Sequence, residues 1–164
     1  MRVGLGHDTH RFRESTERSD GLRLGGITIP YSRGLLGHSD ADVLLHAVTD
    51  AILGAISAGD IGDHFPDTAE ENRNRDSADF LTYAVSLAAS RGWRVENLDA
   101  IIFAQKPKLS TYKEMIKIRI AELVGITPDL VSVKAKTGEG IGIIGREEAI
   151  SAEAVVLLEK QDKE

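Results

Sequence analysis

Strand signals and helix signals alternate along this chain, with no repeat, linker or low-complexity segment between them. That alternation restricts the fold to one α/β or α+β domain. At 164 residues the chain is close to the length a single domain takes. A chain of that size buries roughly 70% of its unfolded surface, so it can fold without covalent staples. It has none to use, because it contains no Cys. The same absence excludes a thiolate zinc cluster, an iron–sulfur site and a cysteine nucleophile.

Residues 2–8 read as a short strand weakened by two glycines, and residues 13–21 as a polar loop. Residues 22–30 read as a β-hairpin, since Gly25-Gly26 supplies the positive φ that a two-residue turn needs. Ser39-Asp-Ala-Asp42 has the spacing of a capping box and predicts a helix from there to about Ala58. Residues 59–75 form a long polar loop, of a length that is often functional. A second helix is predicted over 77–91, ending at Gly92, and a buried strand over Leu98–Ala104. Thr111–Glu114 reads as the cap of a third helix ending at Gly125, with Pro128 beyond it. Val131–Lys136 is a strand. The tail from 146 to 160 carries helix-forming residues, yet Ile150, Ala152, Ala154, Val156 and Leu158 alternate as a strand would. The domain is expected to span 1–160, with 161–164 a polar C-terminal tail.

Charge narrows the partners. With 20 Lys and Arg against 26 Asp and Glu, and 5% aromatics, the chain offers neither the basic stripe nor the stacking platform of a nucleic-acid binder. The longest apolar run is far short of a membrane span. Residues 1–12 lack a basic-then-apolar signal pattern, so the expected location is the cytoplasm or a matrix-like compartment.

Two short segments carry the chemistry. On an extended chain, residues two apart face the same way, so Asp8 and His10 project together while His7 and Thr9 point opposite. Taken alone, that pair also reads as a surface hydrogen bond. Asp42, His46 and Asp50 lie four apart, on one helical face, where a His flanked by carboxylates suits a metal ligand whose neighbours fix its tautomer. Alone, this too reads as a capped helix with a solvated acidic stripe. Together, Asp8, His10 and His46 make a two-His, one-carboxylate zinc site with an open position, as catalytic zinc requires. His38 and Ser39 sit at the helix start, where free N–H groups favour an anion.

Other segments are weaker signals. Asp60-Ile-Gly62 and Phe65-Pro-Asp67 could accept from sugar hydroxyls or be plain turn chemistry. His64 has no partner pattern. Ala104–Leu109 offers two lysines between a strand and a helix, and Lys134–Gly140 combines a hydroxyl, a carboxylate and glycines at a strand end. Gly140–Gly145 satisfies G-x-G-x-x-G, but too little chain follows for a dinucleotide-binding unit. It also fails as a P-loop, because Arg146-Glu147 stands where Lys-Ser/Thr is required. Ser110–Lys113 and Lys136–Gly138 mimic penicillin-binding motifs, but they lie too close together and S-D-N is missing.

These blocks, in this order, resemble the 2-C-methyl-D-erythritol 2,4-cyclodiphosphate synthase family almost end to end. The carriers are Gly6–His10, Ile29-Pro-Tyr, Gly34–His46, Thr49-Asp50-Ala, Gly59–Gly62 and Phe65–Thr68, followed by Ala104–Leu109, Lys134-Ala and Gly145-Arg146. The resemblance implies an α+β domain, with a mixed sheet covered by helices on one side, assembled as a homotrimer around a central axis. Active sites then lie between subunits, and the tail is a strand.

The reaction implied is conversion of 4-diphosphocytidyl-2-C-methyl-D-erythritol 2-phosphate to a cyclic diphosphate plus CMP, by a phosphorus–oxygen lyase of the non-mevalonate isoprenoid pathway. By the same resemblance, Asp8, His10 and His46 hold zinc, and His38 and Ser39 meet phosphate. His38 and Thr137 are the catalytic pair, and Glu139 helps bind a second cation, Mg²⁺ or Mn²⁺. Asp60, Gly62 and Asp67 fall in the segments that hold the methylerythritol part, and Phe65 also binds substrate. Ala104, Pro107, Lys108 and Leu109, with Lys136 beside them, form the cytidine pocket. Lys136 stands where a threonine is frequent in that family, and Gly138 replaces another hydroxyl. Ile143 stands where Phe is common in the axial channel, while Arg146 and Glu148 remain, so a prenyl phosphate there stays open as a partner. Location is then cytoplasmic in a bacterium, or plastid-like stroma in a eukaryote. Two rival readings are a zinc-dependent phosphate-ester hydrolase and a non-catalytic prenyl-diphosphate sensor.

Overall fold

The computed structural model describes residues 1–14, 20–66 and 68–161. Its centre is a four-stranded mixed sheet in the order β1-β6-β4-β5, built from β1 (Arg2–Arg11), β4 (Trp93–Phe103), β5 (Val131–Lys136) and β6 (Ala149–Lys160). β6 runs antiparallel to both β1 and β4, and β4 runs parallel to β5. The C-terminal ends of β1, β4 and β5 therefore lie at one end of the sheet. The tail is a strand, as its alternation and the family resemblance both imply. Ala152, Ala154, Val156 and Leu158 are buried, while Glu153 and Val155 face outward.

Helices α1 (Val43–Ala55), α3 (Ser77–Ser90) and α4 (Lys113–Val124) cover one face of the sheet. The other face is open, with Val3 66%, Leu5 68% and Val155 44% exposed. A separate hairpin, β2 (Leu22–Leu24) with β3 (Ile27–Ile29), turns through Gly25 and Gly26 at φ 64° and 77°. No helix is long and apolar enough to cross a membrane among the described residues.

The structure corrects several boundaries. α1 begins at Val43, not Ser39, because Asp42 rather than Ser39 is the N-cap. The Asp42 carboxylate accepts from Leu45 N and also from Gly25 N and Gly26 N, so one buried side chain ties the hairpin turn to the helix start. Burial pushes its pKa up, against the lowering effect of those three N–H bonds. α1 ends at Ala55, three residues before Ala58. The 59–75 segment is not structureless. It contains the short helix α2 (Ile61–His64), capped by Asp60, and a 3-10 turn over Glu70–Asn72. Thr111 does not cap α4, whose N-cap is Tyr112 without a side-chain bond. A one-turn helix α5 (Gly142–Gly145) fills the glycine-rich segment before β6.

The two glycines of β1 do more than weaken a strand. A Cβ on Gly4 would fall 1.8 Å from the Ala51 carbonyl oxygen, and one on Gly6 would fall 1.9 Å from that of Ala47. Glycine at both positions lets β1 lie directly against the backbone of α1.

Candidate functional site

Close approach of β1 and α1 brings Asp8, His10 and His46 together. Asp8 Oδ2 lies 3.0 Å from His10 Nε2 and 2.9 Å from His46 Nδ1, and the two ring nitrogens are 3.2 Å apart. All three residues are half-buried. Among the described residues they are the one group of three His, Asp or Glu donors placed to hold a metal ion.

The hydrogen-bond partners of the two rings fix their proton positions. His10 Nδ1 is 2.8 Å from the Leu36 carbonyl, which can only accept. Nδ1 therefore carries the proton, and in the neutral ring Nε2 presents a lone pair to the cluster. Ser77 Oγ donates to the Asp40 carboxylate, so its oxygen is left to accept from His46 Nε2 at 2.8 Å. That leaves a lone pair on His46 Nδ1. Three lone-pair atoms thus converge within 3.2 Å of one another, a spacing that only a shared positive charge relieves. Donors at about 2.0–2.2 Å from a tetrahedral ion would stand roughly this far apart. The donor set fits a divalent metal with nitrogen and oxygen preference.

The titration directions agree. Burial opposes ionisation of Asp8, but the bonds and charge of His10 and His46 outweigh it and hold the carboxyl well below the usual carboxylate range. Burial would lower His10, yet the Asp8 contact holds its pKa above that of a free imidazole.

The triad opens into a cavity of about 550 Å³, whose wall includes His38, Ser39, Asp50, Ile61, Phe65 and Phe80. Asp50 accepts from Ile61 N at 2.8 Å, and burial, with help from the charges of Asp60 and Asp8, pushes its pKa up against that bond. Asp60 and Gly62 do not line this cavity. The Asp60 carboxylate instead accepts from Asp63 N and caps α2. Asp67 lies outside the described residues.

A second hollow, about 490 Å³, gathers Ala104, Pro107, Lys108, Leu109, Lys136 and Thr137 after the ends of β4 and β5. Glu139 sits just beyond it, exposed, and accepts from Thr137 Oγ1 at 2.7 Å. Arg146 lies in a third hollow, with Arg11, Arg33 and Ile143, and pairs with Glu148 at 2.6 Å.

Strand register separates the first two groups. Asp8 aligns with Ala152, Ala152 with Ile102, and Ile102 with Ala135. Three strand spacings put the triad's strand roughly 14 Å from the Thr137 strand within one chain.

Two features escape the sequence. Ser77, held by Asp40, with Ser39 Oγ farther off at 3.2 Å, fixes the His46 tautomer, rather than Asp42 at the N-cap of the same helix or Asp50 within it. Asn72, buried in the cavity wall, donates to the Pro66 carbonyl and fastens the loop. Neither residue has a spacing that would mark it.

Fold and site define a class of protein: a mixed-sheet α+β domain with a two-histidine, one-carboxylate donor site at the foot of a cavity. The chain belongs to the YgbB family, whose model matches residues 1–159. It is 51% identical over 160 residues to the 2-C-methyl-D-erythritol 2,4-cyclodiphosphate synthase of Dechloromonas aromatica (strain RCB), covering 98% of each chain. It is 53% identical over 160 residues to the synthase of the same name from Listeria monocytogenes serotype 4a (strain HCC23), covering 98% of this chain and 99% of that one. The resemblance read from the sequence therefore holds. Among solved structures it is similar to the bifunctional IspDF from Campylobacter jejuni, with TM-score 0.92 and 38% identity; 98% of this chain matches 42% of that longer one. A CDP complex of IspF from Plasmodium falciparum gives TM-score 0.85 and 36% identity, covering 98% and 97% of the two chains.

Proposed function

We propose that this chain converts 4-diphosphocytidyl-2-C-methyl-D-erythritol 2-phosphate to 2-C-methyl-D-erythritol 2,4-cyclodiphosphate and CMP, as a lyase of the non-mevalonate isoprenoid route. The convergence of Asp8, His10 and His46 at the foot of a cavity carries this reading, in a chain half-identical to synthases of that name. The CDP bound by the Plasmodium falciparum relative supports a cytidine substrate.

In this reaction the substrate's 2-phosphate oxygen forms a bond to the β-phosphorus. The bond from that phosphorus to the oxygen bridging to the α-phosphate breaks, and the electron pair leaves with CMP. The nucleophile belongs to the substrate, so no protein nucleophile is needed, and catalysis reduces to alignment and charge neutralisation. Asp8, His10 and His46 would hold zinc, which when bound supplies Lewis-acid neutralisation of phosphate charge. His38 and Ser39, on the cavity wall at the approach to α1, would hydrogen-bond the phosphates. Phe65 would wall the methylerythritol part, with Asp60, Gly62 and Asp67 in the same segment. Ala104, Pro107, Lys108, Leu109 and Lys136 would take the cytidine. Thr137 would complete the phosphate contacts, and Glu139 would help hold Mg²⁺ or Mn²⁺.

The wide separation of the two cavities within one chain supports a site completed between copies. A homotrimer with the open sheet face turned to its axis would cover Val3, Leu5 and Val155. Arg146 and Glu148 would then stand near an axial channel able to take a prenyl phosphate. The bacterial sources of the relatives support a cytoplasmic location.

Incubation with the cytidylyl substrate and Mg²⁺ should release CMP and a cyclic diphosphate. Inorganic phosphate instead would make the chain a hydrolase. An intact donor site with no turnover would make it a non-catalytic binder.

A further inference from the structure

His64 is engaged at both ring nitrogens. Nε2 lies 2.8 Å from the Ala58 carbonyl, which only accepts, so the proton is on Nε2. Nδ1 is then the acceptor for the Tyr83 hydroxyl, at 3.1 Å. One residue thus fastens the end of α2 to the turn after α1 and to the side of α3.

The residue that follows, Phe65, is part of the metal cavity wall. Its ring is 4.5 Å from that of Phe80 and 5.1 Å from that of Tyr83, edge-on. The Arg75 guanidinium lies over both Phe65 and Phe80, at 5.1 Å and 5.7 Å. Phe80 in turn is 6.0 Å from the ring of His46. An unbroken row of rings therefore runs from His64 through Tyr83, Phe65 and Phe80 to a metal-donor histidine. At its other end α2 is held by the Asp50–Ile61 bond. His64 itself does not line the cavity.

We propose that His64 is a positioning residue: with Tyr83 it clamps the end of α2, so that Phe65 stays in the cavity wall and holds the non-reacting part of the substrate in line. This rests on the reading that the cavity receives the methylerythritol diphosphate portion. Substrate alignment is the main resource of an intramolecular transfer, so a wall that drifts lowers the rate even though no reacting group is lost.

The test compares Tyr83→Phe and His64→Gln with wild type. The first removes one hydroxyl and keeps the ring; the second keeps a donor for the Ala58 carbonyl but places its acceptor oxygen away from the Nδ1 position that Tyr83 meets. Both should lower kcat/KM for the full substrate by about five- to tenfold, the effect of one lost hydrogen bond. Zinc content and CMP affinity should stay at wild-type values, because both depend on residues away from the clamp. Wild-type kcat/KM in both variants would overturn the clamp, as would a lowered melting temperature without any kinetic change. A wild-type protein that makes no CMP would instead overturn the functional reading, and the clamp's role in that reaction with it.

Discussion

Gly6 and Ala47 meet so closely that no side chain fits between them: a Cβ on Gly6 would sit 1.9 Å from the Ala47 carbonyl oxygen. Ala47 follows His46 directly, and Asp8 lies two residues beyond Gly6, on the same face of β1. The contact therefore sets the 2.9 Å separation of Asp8 and His46.

Gly6→Ala should force β1 away from α1. Overpacking against backbone destabilises by about 3 kcal/mol or more, and the triad should lose its metal. Gly54→Ala makes the contrast. That glycine is exposed on α1 with nothing closer than the Leu5 carbonyl oxygen at 4.0 Å, so alanine should stabilise by about 0.5–1 kcal/mol. Thermal unfolding with metal analysis of both variants checks the pair.

Ser77→Ala removes the nearer of the two hydroxyl oxygens at His46 Nε2, leaving only Ser39 Oγ at 3.2 Å. Loss of such a partner typically weakens metal binding by about 10- to 100-fold. Competition with a chelator should show that loss while the unliganded fold remains intact.

Asp42→Ala leaves the N–H groups of Gly25, Gly26 and Leu45 without their acceptor in a buried setting. We expect a loss of about 3 kcal/mol, well above a simple surface cap. Denaturant unfolding measures it.

Asp50 has a raised pKa, with burial as the first cause. The folded state therefore holds the Asp50 proton more tightly than the unfolded chain does. Ionisation opposes folding, so stability declines as pH rises from the ordinary carboxylate pKa through the raised one. Asp50→Asn keeps an acceptor for Ile61 N without the charge. It should melt at a higher temperature than wild type at pH 7, and the difference should vanish at pH 3, where both side chains are neutral. Melting curves at the two pH values decide it.

Much of the site is legible in the sequence because its geometry is local. Asp8 and His10 share a face through strand parity, and Gly25-Gly26 marks its own turn. What is hidden depends on contacts between distant segments. Ser39 and Asp42 are both good N-caps, and only the arrival of the hairpin N–H groups decides for Asp42. The Ser77–Asp40 bond spans 37 residues and leaves no periodic trace. β1's glycines look like weak points until the α1 backbone is laid against them. Thr111 looks like a helix cap, yet α4 begins at Lys113 behind Tyr112 without side-chain help.

The central claim is that the Asp8/His10/His46 cavity of one copy works with the Thr137 cavity of another. Co-expression of an Asp8→Asn chain with a Thr137→Ala chain tests it directly, each chain being inactive alone. Random assembly should restore about a quarter of wild-type CMP release, since one interface in four pairs two intact halves. Activity no greater than that of the two parents would contradict the account.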